Sequence, residues 1–365
     1  MFSFLTYELV VDVCGHCFIG YVALVVAASL LTALYRCTVC RKRFSLHDKH
    51  VLITGGSSGI GLAIAKEVVR RGARVTILAR NKGKLDSACA KLNDEESKEG
   101  SPLTAQSAAA DVTKFESVAK AVSVAESSFG PVDVLVTSAG SATPGYFLDQ
   151  DPSVFENSMR LNYLGTVNAA KAIAPSMTNR GEGHLVFVAS AAAVVSFLGY
   201  SSYAPTKYAL RGFADSLRNE LRGFGIRVSI AYPPDTDTPG FENENKTKPK
   251  ETLEITPPSV YKPSIVASQI VNGIEMGDYH LSSPDVVQNL LVTAMSGVSP
   301  RAYPMLELAI LPLLGLIQLI FMFYADYIAR GYGARMLSFG RGSNANALDS
   351  KGGESMLVSE TKKAQ

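Results

Sequence analysis

Residues 51–61 read Val51-Leu52-Ile53-Thr54-Gly55-Gly56-Ser57-Ser58-Gly59-Ile60-Gly61. The first four form a short apolar run, and an amphipathic helical pattern follows through Arg71 until Gly72 ends it. A second apolar run occupies residues 75–79. A strand, a glycine turn, a helix and a second strand form the context of a dinucleotide-binding loop, because glycines admit a pyrophosphate and the helix N-terminus favours its charge. We predict such a loop here; a glycine turn without a ligand is the alternative.

Four more apolar runs, at residues 105–110, 132–136, 185–189 and 226–232, follow with helical patterns between them. Continuous apolar runs of this kind are typical of buried parallel strands. The chain therefore predicts an α/β fold, a Rossmann-type doubly wound parallel sheet, over about residues 48–285. Ligands of such sheets bind at the carboxyl ends of the strands. The residues expected at that edge are the glycine loop, Arg80, Asp111, Gly140, Ser190 and Pro233.

The residue that ends the second strand is Arg80, followed by Asn81 and Lys82. An acidic residue at this point binds the free 2′-hydroxyl of NAD, whereas a cation accommodates the 2′-phosphate of NADP. Arg80 therefore favours NADPH as the cofactor. A solvated basic turn is the alternative interpretation.

Tyr203 and Lys207 are four residues apart in Ser202-Tyr203-Ala204-Pro205-Thr206-Lys207-Tyr208. On a helix they share one face, and Pro205 is compatible with a first helical turn. A cation one turn away lowers the pKa of a phenol, which can then exchange a proton with a carbonyl or alcohol oxygen. A half-buried aromatic ring beside a surface lysine is the alternative.

Taken together, these residues resemble the short-chain dehydrogenase/reductase family over about residues 48–285. Thr54-Gly55-x-x-x-Gly59-x-Gly61 matches the family's cofactor fingerprint, and Asn162, Ser190, Tyr203 and Lys207 match its catalytic tetrad. Two departures occur. Thr137-Ser138-Ala139-Gly140 stands where the family has Asn-Asn-Ala-Gly, and Pro233-Pro234 stands where it has Pro-Gly, although Thr238 is kept.

The resemblance implies a role for each member of the tetrad. Tyr203 would give a proton to a ketone oxygen, Lys207 would lower the Tyr203 pKa and contact the nicotinamide ribose, and Ser190 would hydrogen-bond the oxygen. Asn162 would hold a water that connects Lys207 to solvent. No metal is implied. The cofactor contacts that we expect are Gly55, Ser57, Ser58, Gly59, Ile60, Gly61, Arg80, Lys84, Asp111, Val112, Gly140, Tyr203, Lys207, Pro233 and Thr238.

The stretch after the sixth strand, residues 231–249, narrows the resemblance. It is similar to the branch of the family that reduces 3-ketodihydrosphingosine, a long-chain sphingoid ketone, in sphingolipid synthesis at the endoplasmic reticulum. Two other functions stay open: a membrane-anchored reductase of another lipid ketone (a steroid, a retinoid or a 3-ketoacyl chain), and a dinucleotide-binding sensor without catalysis.

The N-terminal end contains an uncharged apolar segment at about residues 17–35, which is long enough to span a bilayer. Glu8 and Asp12 precede it, and Arg36, Arg41, Lys42 and Arg43 follow it. This order argues against a cleaved signal peptide and places the following residues in the cytosol. We expect a lumenal stretch at 1–16, an anchor at 17–35, a basic linker at 36–47 and the catalytic domain at 48–285.

The C-terminal end holds a second apolar segment, residues 308–324, with Pro312 inside it. It can span the membrane, or a proline-broken segment can dip in and return, or it can pack as a buried helix. We expect a membrane-associated region at 286–337 and a disordered polar tail at 338–365. The tail ends in Lys362-Lys363-Ala364-Gln365, which resembles a dilysine retrieval signal. A re-entrant hairpin at Pro312, or two short passes, would keep that signal in the cytosol, whereas one full span at residues 308–324 would not.

Charge and cysteine spacing exclude some functions. The formal net charge is +2 and its signs are mixed along the chain, so nothing indicates a nucleic-acid partner. Cys14-x-x-Cys17 and Cys37-x-x-Cys40 have zinc-pair spacing, but an apolar helix between them would hold the pairs roughly 30 Å apart. Free thiols, or acylation of Cys37 and Cys40, fit better. The partners expected are the lipid bilayer, the ketone substrate and, where a homo-oligomer forms, a second copy of the chain.

Overall fold

Seven parallel strands form one sheet in the order β3-β2-β1-β4-β5-β6-β7. A computed structural model describes residues 2–38, 43–96, 104–256, 259–301 and 303–360. The strands are β1 (His50–Thr54), β2 (Arg74–Ala79), β3 (Ala105–Ala109), β4 (Val134–Thr137), β5 (Gly183–Val188), β6 (Ile226–Ala231) and β7 (His280–Leu281). The predicted doubly wound parallel sheet is confirmed. The two-residue strand β7, which pairs with the end of β6, was too short for its pattern to be read from the sequence.

The helices of the catalytic domain cover both faces of this sheet. They are α2 (Gly59–Arg70), α3 (Lys82–Glu96), α4 (Phe115–Phe129), α5 (Pro152–Met159), α6 (Gly165–Arg180), α7 (Ala204–Leu221), α8 (Pro239–Asn245), α9 (Lys250–Ile255), α10 (Pro263–Met276) and α11 (Val286–Met295). Leu52 belongs to one apolar core, whereas Val51 and Ile53 belong to the other. This alternation along β1 follows from the two-residue period of a strand, whose side chains point to opposite faces.

Strand β1 lies between β2 and β4, so the chain leaves β1 towards one side of the sheet and returns to the other. This reversal of strand order creates a crevice at the carboxyl ends of the strands, where open α/β sheets bind ligands. The glycine turn follows β1 directly, and the tetrad residue Ser190 follows β5. The fold therefore brings these two sequence motifs to the same edge.

Two long helices flank the domain: α1 (Phe2–Thr38) and α12 (Pro304–Glu360). Each contains a segment long and apolar enough to cross a membrane, Gly15–Thr32 and Pro304–Gly333. The two helices pack against each other, and the Tyr21 hydroxyl donates a hydrogen bond to the Ala309 carbonyl at 3.0 Å. Most apolar side chains of both segments remain exposed, as expected for surfaces that face lipid.

Helix α12 differs from the sequence-based expectations in two respects. It runs without a break through Pro312, so the hairpin expected there is wrong. A proline removes one hydrogen bond and kinks a helix without having to end it, and neighbouring groups in apolar helices re-satisfy the freed carbonyl. The helix also continues to Glu360 and thus includes most of the tail for which composition predicts disorder. Extending a helix needs no new nucleus, which lowers the cost of including the glycines.

The cysteine pairs and the terminal lysines fall partly outside the described residues. Cys14, Cys17 and Cys37 all lie on α1. At 1.5 Å of rise per residue, the backbones of Cys14 and Cys37 are about 35 Å apart, which agrees with the argument against a shared metal. Cys40, the linker residues Arg41 and Lys42, and the dilysine-like end at 362–363 lie outside the described residues.

Candidate active site

A cavity of about 560 Å³ opens at the carboxyl ends of the strands. Twelve of the residues expected from the sequence line it: Gly55, Ser57, Ser58, Gly59, Ile60, Gly61, Gly140, Ser190, Tyr203, Lys207, Pro233 and Thr238. Its volume is in the range of ordinary cofactor and substrate pockets. The cavity is therefore the candidate active site.

The glycine loop leaves space that side chains would fill. Gly55 has φ +71°, and a Cβ there would lie 2.8 Å from the backbone of Ala139. A Cβ on Gly61 would lie 2.5 Å from the carbonyl oxygen of Gly55. Helix α2 begins at Gly59 beside the cavity, and the Ser58 side chain makes no capping hydrogen bond, so no N-cap side chain occupies the first amides of the helix. These features fit the pyrophosphate of a dinucleotide.

The segment after β6 closes over this loop. The Thr238 side chain caps α8 by accepting a hydrogen bond from the Phe241 amide at 3.1 Å. Its methyl carbon would lie 3.3 Å from a Cβ on Gly59, so the two segments are in close contact. Thr238 thus fixes both the start of α8 and its approach to the cofactor loop.

Tyr203 and Lys207 lie one helical turn apart at the start of α7, as predicted. The Lys207 Nζ lies 5.5 Å from the centroid of the Tyr203 ring and donates a hydrogen bond to the Val188 carbonyl at 3.2 Å. Lys207 is only 6% exposed. Its ammonium group is therefore held between the catalytic helix and the end of β5.

The pKa values in this pair differ from the sequence-based expectation. Burial lowers the pKa of Lys207 to about 8. Burial raises the pKa of Tyr203, and the nearby carboxylates of Glu244 and Asp235 also raise it, whereas hydrogen bonding with Ser190 lowers it. We expected Lys207 to lower the Tyr203 pKa, but in the protein alone the loss of solvent dominates. Tyr203 consequently keeps its proton, which is the form that a general acid requires.

Ser190 follows β5 and begins a short 3₁₀ helix, Ala191–Ala193. Its hydroxyl oxygen accepts a hydrogen bond from the Ala192 amide at 3.2 Å. The hydroxyl also interacts with Tyr203. Because the Ser190 oxygen accepts this backbone hydrogen bond, its hydroxyl proton is free to point towards a substrate oxygen near Tyr203. Negative charge develops on that oxygen during reduction.

Asn162 lies behind the cavity wall and is 1% exposed. It occupies a π-helical turn, Arg160–Leu164, between α5 and α6. Its side-chain amide exchanges two hydrogen bonds with the backbone of Ser141, at 2.9 and 3.0 Å, and donates a third to the Thr206 hydroxyl at 3.1 Å. Asn162 therefore ties the segment after β4 to the catalytic helix. A π turn inside a helix is a frequent feature of functional sites.

Four expected cofactor residues do not line the cavity: Arg80, Lys84, Asp111 and Val112. They follow β2 and β3, further along the same sheet edge, and Arg80 is exposed. Burial acts to raise the Asp111 pKa, but hydrogen bonds from the amide and hydroxyl of Thr113, with the charge of Arg80, hold it below its usual range. These residues form an outer region next to the cavity, where an adenosine end would lie.

Several cavity residues escaped the sequence reasoning. The Tyr200 hydroxyl donates to Glu244 of α8 at 2.5 Å, and Lys248 pairs with Glu244 at 3.1 Å. Phe197, Asp235 and Phe241 also line the cavity. Tyr200 stands three residues before Tyr203, and this spacing was the one feature of the sequence that could have placed it in the cavity. The others come from segments far apart in the chain, so no local pattern marked them.

A family model described as short chain dehydrogenase matches residues 49–249. The chain is 37% identical to a 3-ketodihydrosphingosine reductase of Dictyostelium discoideum over 309 residues, covering 80% of this chain and 92% of that protein. It is 38% identical to the Bos taurus protein of the same name over 304 residues, covering 83% and 91%. A 3-dehydrosphinganine reductase of Danio rerio is 37% identical, with coverage of 83% and 91%.

Solved structures share the fold of the catalytic domain. A 3-ketoacyl-(acyl-carrier-protein) reductase from Brucella melitensis, in complex with NADH, aligns with a TM-score of 0.58 and 26% identity, covering 66% of this chain and 98% of that one. An actinorhodin polyketide ketoreductase with NADPH has a TM-score of 0.57 at 24% identity, covering 65% and 95%, a likeness of fold only. A nicotinamide dinucleotide therefore fits both the glycine cradle and the fold.

Proposed function

This chain belongs to the short-chain dehydrogenase family, and we propose that it reduces 3-ketodihydrosphingosine to dihydrosphingosine in sphingolipid biosynthesis, with NADPH as its cofactor. The observation that carries the proposal is the extent of the similarity. The family model covers residues 49–249, whereas the 3-ketodihydrosphingosine reductases align over 304 and 309 residues. Their likeness thus extends beyond the residues that the shared family model matches.

The residues of the cavity suit the reduction of a ketone. A bound nicotinamide cofactor supplies the hydride. Tyr203 donates its proton to the ketone oxygen, and Ser190 holds that oxygen by a hydrogen bond. Lys207 stabilises the phenolate that Tyr203 leaves behind, because its ammonium group lies 5.5 Å from the ring centroid. Asn162 positions the Ser141 segment and α7, and we assign it the water that links Lys207 to solvent.

The preference for NADPH rests on Arg80. It is the first residue after β2, where the adenosine ribose of a dinucleotide lies in this fold. Its guanidinium group is exposed and close enough to Asp111 to lower the pKa of that carboxyl. An exposed guanidinium group can form charge-assisted hydrogen bonds with a 2′-phosphate. Lys82 and Lys84 add positive charge nearby.

We further propose that the protein resides in the endoplasmic reticulum membrane with its catalytic domain in the cytosol. The support is the pair of apolar helix segments, Gly15–Thr32 and Pro304–Gly333, and the basic residues that follow the first of them. A ketone with a long alkyl chain partitions into the bilayer, so an enzyme that reduces it works at the membrane surface.

The decisive experiment is NADPH oxidation by the membrane-bound protein with a panel of ketones: the sphingoid ketone, a steroid, a retinoid and a 3-ketoacyl thioester. We expect turnover of the sphingoid ketone with a kcat/KM well above the others, and none with the Tyr203→Phe variant. A higher kcat/KM for another ketone would replace the proposed substrate. NADPH binding without turnover of any ketone would favour a sensor.

A further inference from the structure

One face of α12 lies against the catalytic domain, close to the candidate active site. The Tyr324 hydroxyl donates to the Glu254 carbonyl of α9 at 3.2 Å. Tyr332 stacks on Tyr146 with 4.6 Å between ring centroids. Five residues form this contact face, three or four apart along the helix as one face requires: Phe321, Tyr324, Ile328, Tyr332 and Arg335.

A buried carboxylate holds this face in place. Glu251 of α9 has a side chain only 1% exposed, and it accepts hydrogen bonds from the Tyr146 hydroxyl and from Arg335. Tyr146 belongs to the loop after β4, so one carboxylate joins that loop, α9 and α12. Burial acts to raise the pKa of Glu251, but these hydrogen bonds keep it low. The charged group is therefore paired and fixes the position of α12 on the domain.

A row of aromatic rings leads from the catalytic tyrosine to α12. The Tyr203 and Tyr200 ring centroids are 5.9 Å apart, and those of Tyr200 and Phe197 are 6.2 Å apart. Phe197 in turn meets Phe321 of α12 with 6.2 Å between centroids. The first three rings line the cavity. Together with Phe321 they form a continuous row of rings from the reacting position to the helix.

The cavity is too small to enclose a long alkyl chain together with a cofactor. Its volume of about 560 Å³ is the size that holds one drug-sized ligand. The chain of a lipid ketone must therefore leave the cavity, and it does so most favourably along apolar side chains. The aromatic row ends at Phe321, and Phe323, two positions away on the opposite side of α12, is 62% exposed.

We propose that the alkyl chain of the substrate runs along Tyr200 and Phe197 to Phe321 of α12, and from there towards the bilayer. Helix α12 is then part of the substrate site as well as a membrane segment, and Phe321 binds the chain. This inference rests on the proposed function, because it requires a long-chain ketone whose reacting carbonyl lies at Tyr203.

The test compares Phe321→Ala with Phe323→Ala, a matched pair two residues apart on opposite sides of α12. Each variant is assayed in detergent micelles with the long-chain sphingoid ketone and with a short-chain analogue that has the same polar head. For Phe321→Ala we expect kcat/KM for the long-chain ketone to fall about tenfold, mainly through KM, because the apolar contact of one ring is lost. With the short-chain analogue, the kcat/KM of Phe321→Ala should equal that of the wild type.

Phe323→Ala should match the wild type with both ketones, and both variants should bind NADPH normally by its fluorescence. An equal loss with the long and short ketones, or no loss in Phe321→Ala, would overturn the proposed path. If another long-chain lipid ketone replaces the sphingoid ketone as the substrate, the same pair of variants tests the path with that ketone. Failure of the path and failure of the proposed substrate are thus distinguishable.

A second measurement uses the unmodified protein and does not depend on how a variant folds. A long-chain ketone with a diazirine near the far end of its chain is bound with NADP⁺ and irradiated. We expect the label on the α12 peptide that contains Phe321 or on α9. Labelling of α2 or α4 would contradict the proposal.

Discussion

The Lys207 ammonium nitrogen lies 5.5 Å from the centroid of the Tyr203 ring, one helical turn away. Both groups are removed from bulk water, with opposite effects: burial lowers the pKa of Lys207 to about 8 and raises that of Tyr203. Near neutral pH the pair therefore contains a protonated phenol beside a charged amine. This is the protonation state from which a reductase donates a proton to a ketone.

Replacing the proton donor should abolish reduction. Tyr203→Phe removes only a hydroxyl, so we expect turnover to fall by about 10²- to 10⁴-fold while NADPH binding stays near the wild-type value. Tyr208→Phe, at an exposed tyrosine of the same helix, is the matched control and should be fully active. Turnover above about a tenth of the wild-type rate in the Tyr203→Phe variant would show that another group is the acid.

The rate of reduction should fall at alkaline pH. Below a pKa of about 8 Lys207 is charged and stabilises the developing phenolate; above it that charge is lost. We expect kcat to decrease about tenfold per pH unit above this value. The decrease of kcat is measured from initial rates at saturating NADPH between pH 6 and 10. The cofactor dissociation constant is determined at each pH to make sure that NADPH stays saturating. A kcat that stays constant to pH 10 would contradict the assignment.

The cofactor preference should change with Arg80. Arg80→Asp removes a phosphate contact worth about 1.5–3 kcal/mol, so we expect the ratio of kcat/KM for NADPH to that for NADH to fall by roughly ten- to a hundredfold or more. Lys120→Asp, at an exposed residue of α4, makes the same charge change elsewhere and should leave the ratio unchanged. An unchanged ratio in Arg80→Asp would mean that Lys82 or Ser57 reads the 2′-phosphate.

Acid should destabilise the fold through His184. This side chain is fully buried, its Nδ1 has no hydrogen-bond partner among the described residues, and burial with the charge of Arg227 lowers its pKa to about 3. Because the unfolded chain takes up the proton at about 6.5, stability is lost as the pH falls from 6.5 towards 3. The expected contribution is about 1.4 kcal/mol per pH unit over that range.

Thermal unfolding in detergent at pH 7, 6 and 5 checks this contribution. His184→Gln should reduce the pH dependence of the free energy of unfolding. Part of the change of stability with pH will remain in His184→Gln. Burial also lowers the pKa of His50, and it lowers that of His280 to about 4. An equal loss of stability between pH 7 and pH 5 in His184→Gln and in the wild type would contradict the prediction.

Glycosylation should report the topology. Asn245-Lys246-Thr247 is an acceptor sequence on the surface of the lid formed by α8 and α9, and we expect it to stay unmodified in the cytosol. Arg335 of α12 contacts Glu251 of the same lid, so the following tail should lie on the cytosolic side without any hairpin at Pro312. An acceptor made by Leu348→Thr at Asn346 should therefore stay unmodified.

The positive control for that experiment is Phe4→Asn, which places an acceptor at the expected lumenal end and should be glycosylated. A glycan on Asn245 would reverse the proposed orientation. A glycan on Asn346 alone would show that α12 crosses the membrane and separates the tail from the catalytic domain.

The sequence predicted the parallel sheet and the main elements because their signals are local. Apolar runs marked β1 to β6, and the glycines of residues 55–61 marked the turn after β1. The pattern failed for β7, which has two residues, and for the continuity of α12 past Pro312. For β7, pairing with β6 outweighs the local preference, whereas in α12 the proline removes one hydrogen bond without ending the helix.

Local spacing alone determined that Tyr203 and Lys207 share a helix face and that Ser190 ends a strand at the same edge as the glycine loop. Only the tertiary structure decided which groups surround these residues, and those groups determine their pKa values and the path of the alkyl chain. Asn162 reaches Ser141, Glu244 reaches Tyr200, and Phe321 reaches Phe197 across 21, 44 and 124 positions of the chain. A pKa depends on the solvent and charge around a group, and an alkyl-chain path depends on which surfaces meet. Both are properties of long-range packing that no local residue pattern encodes.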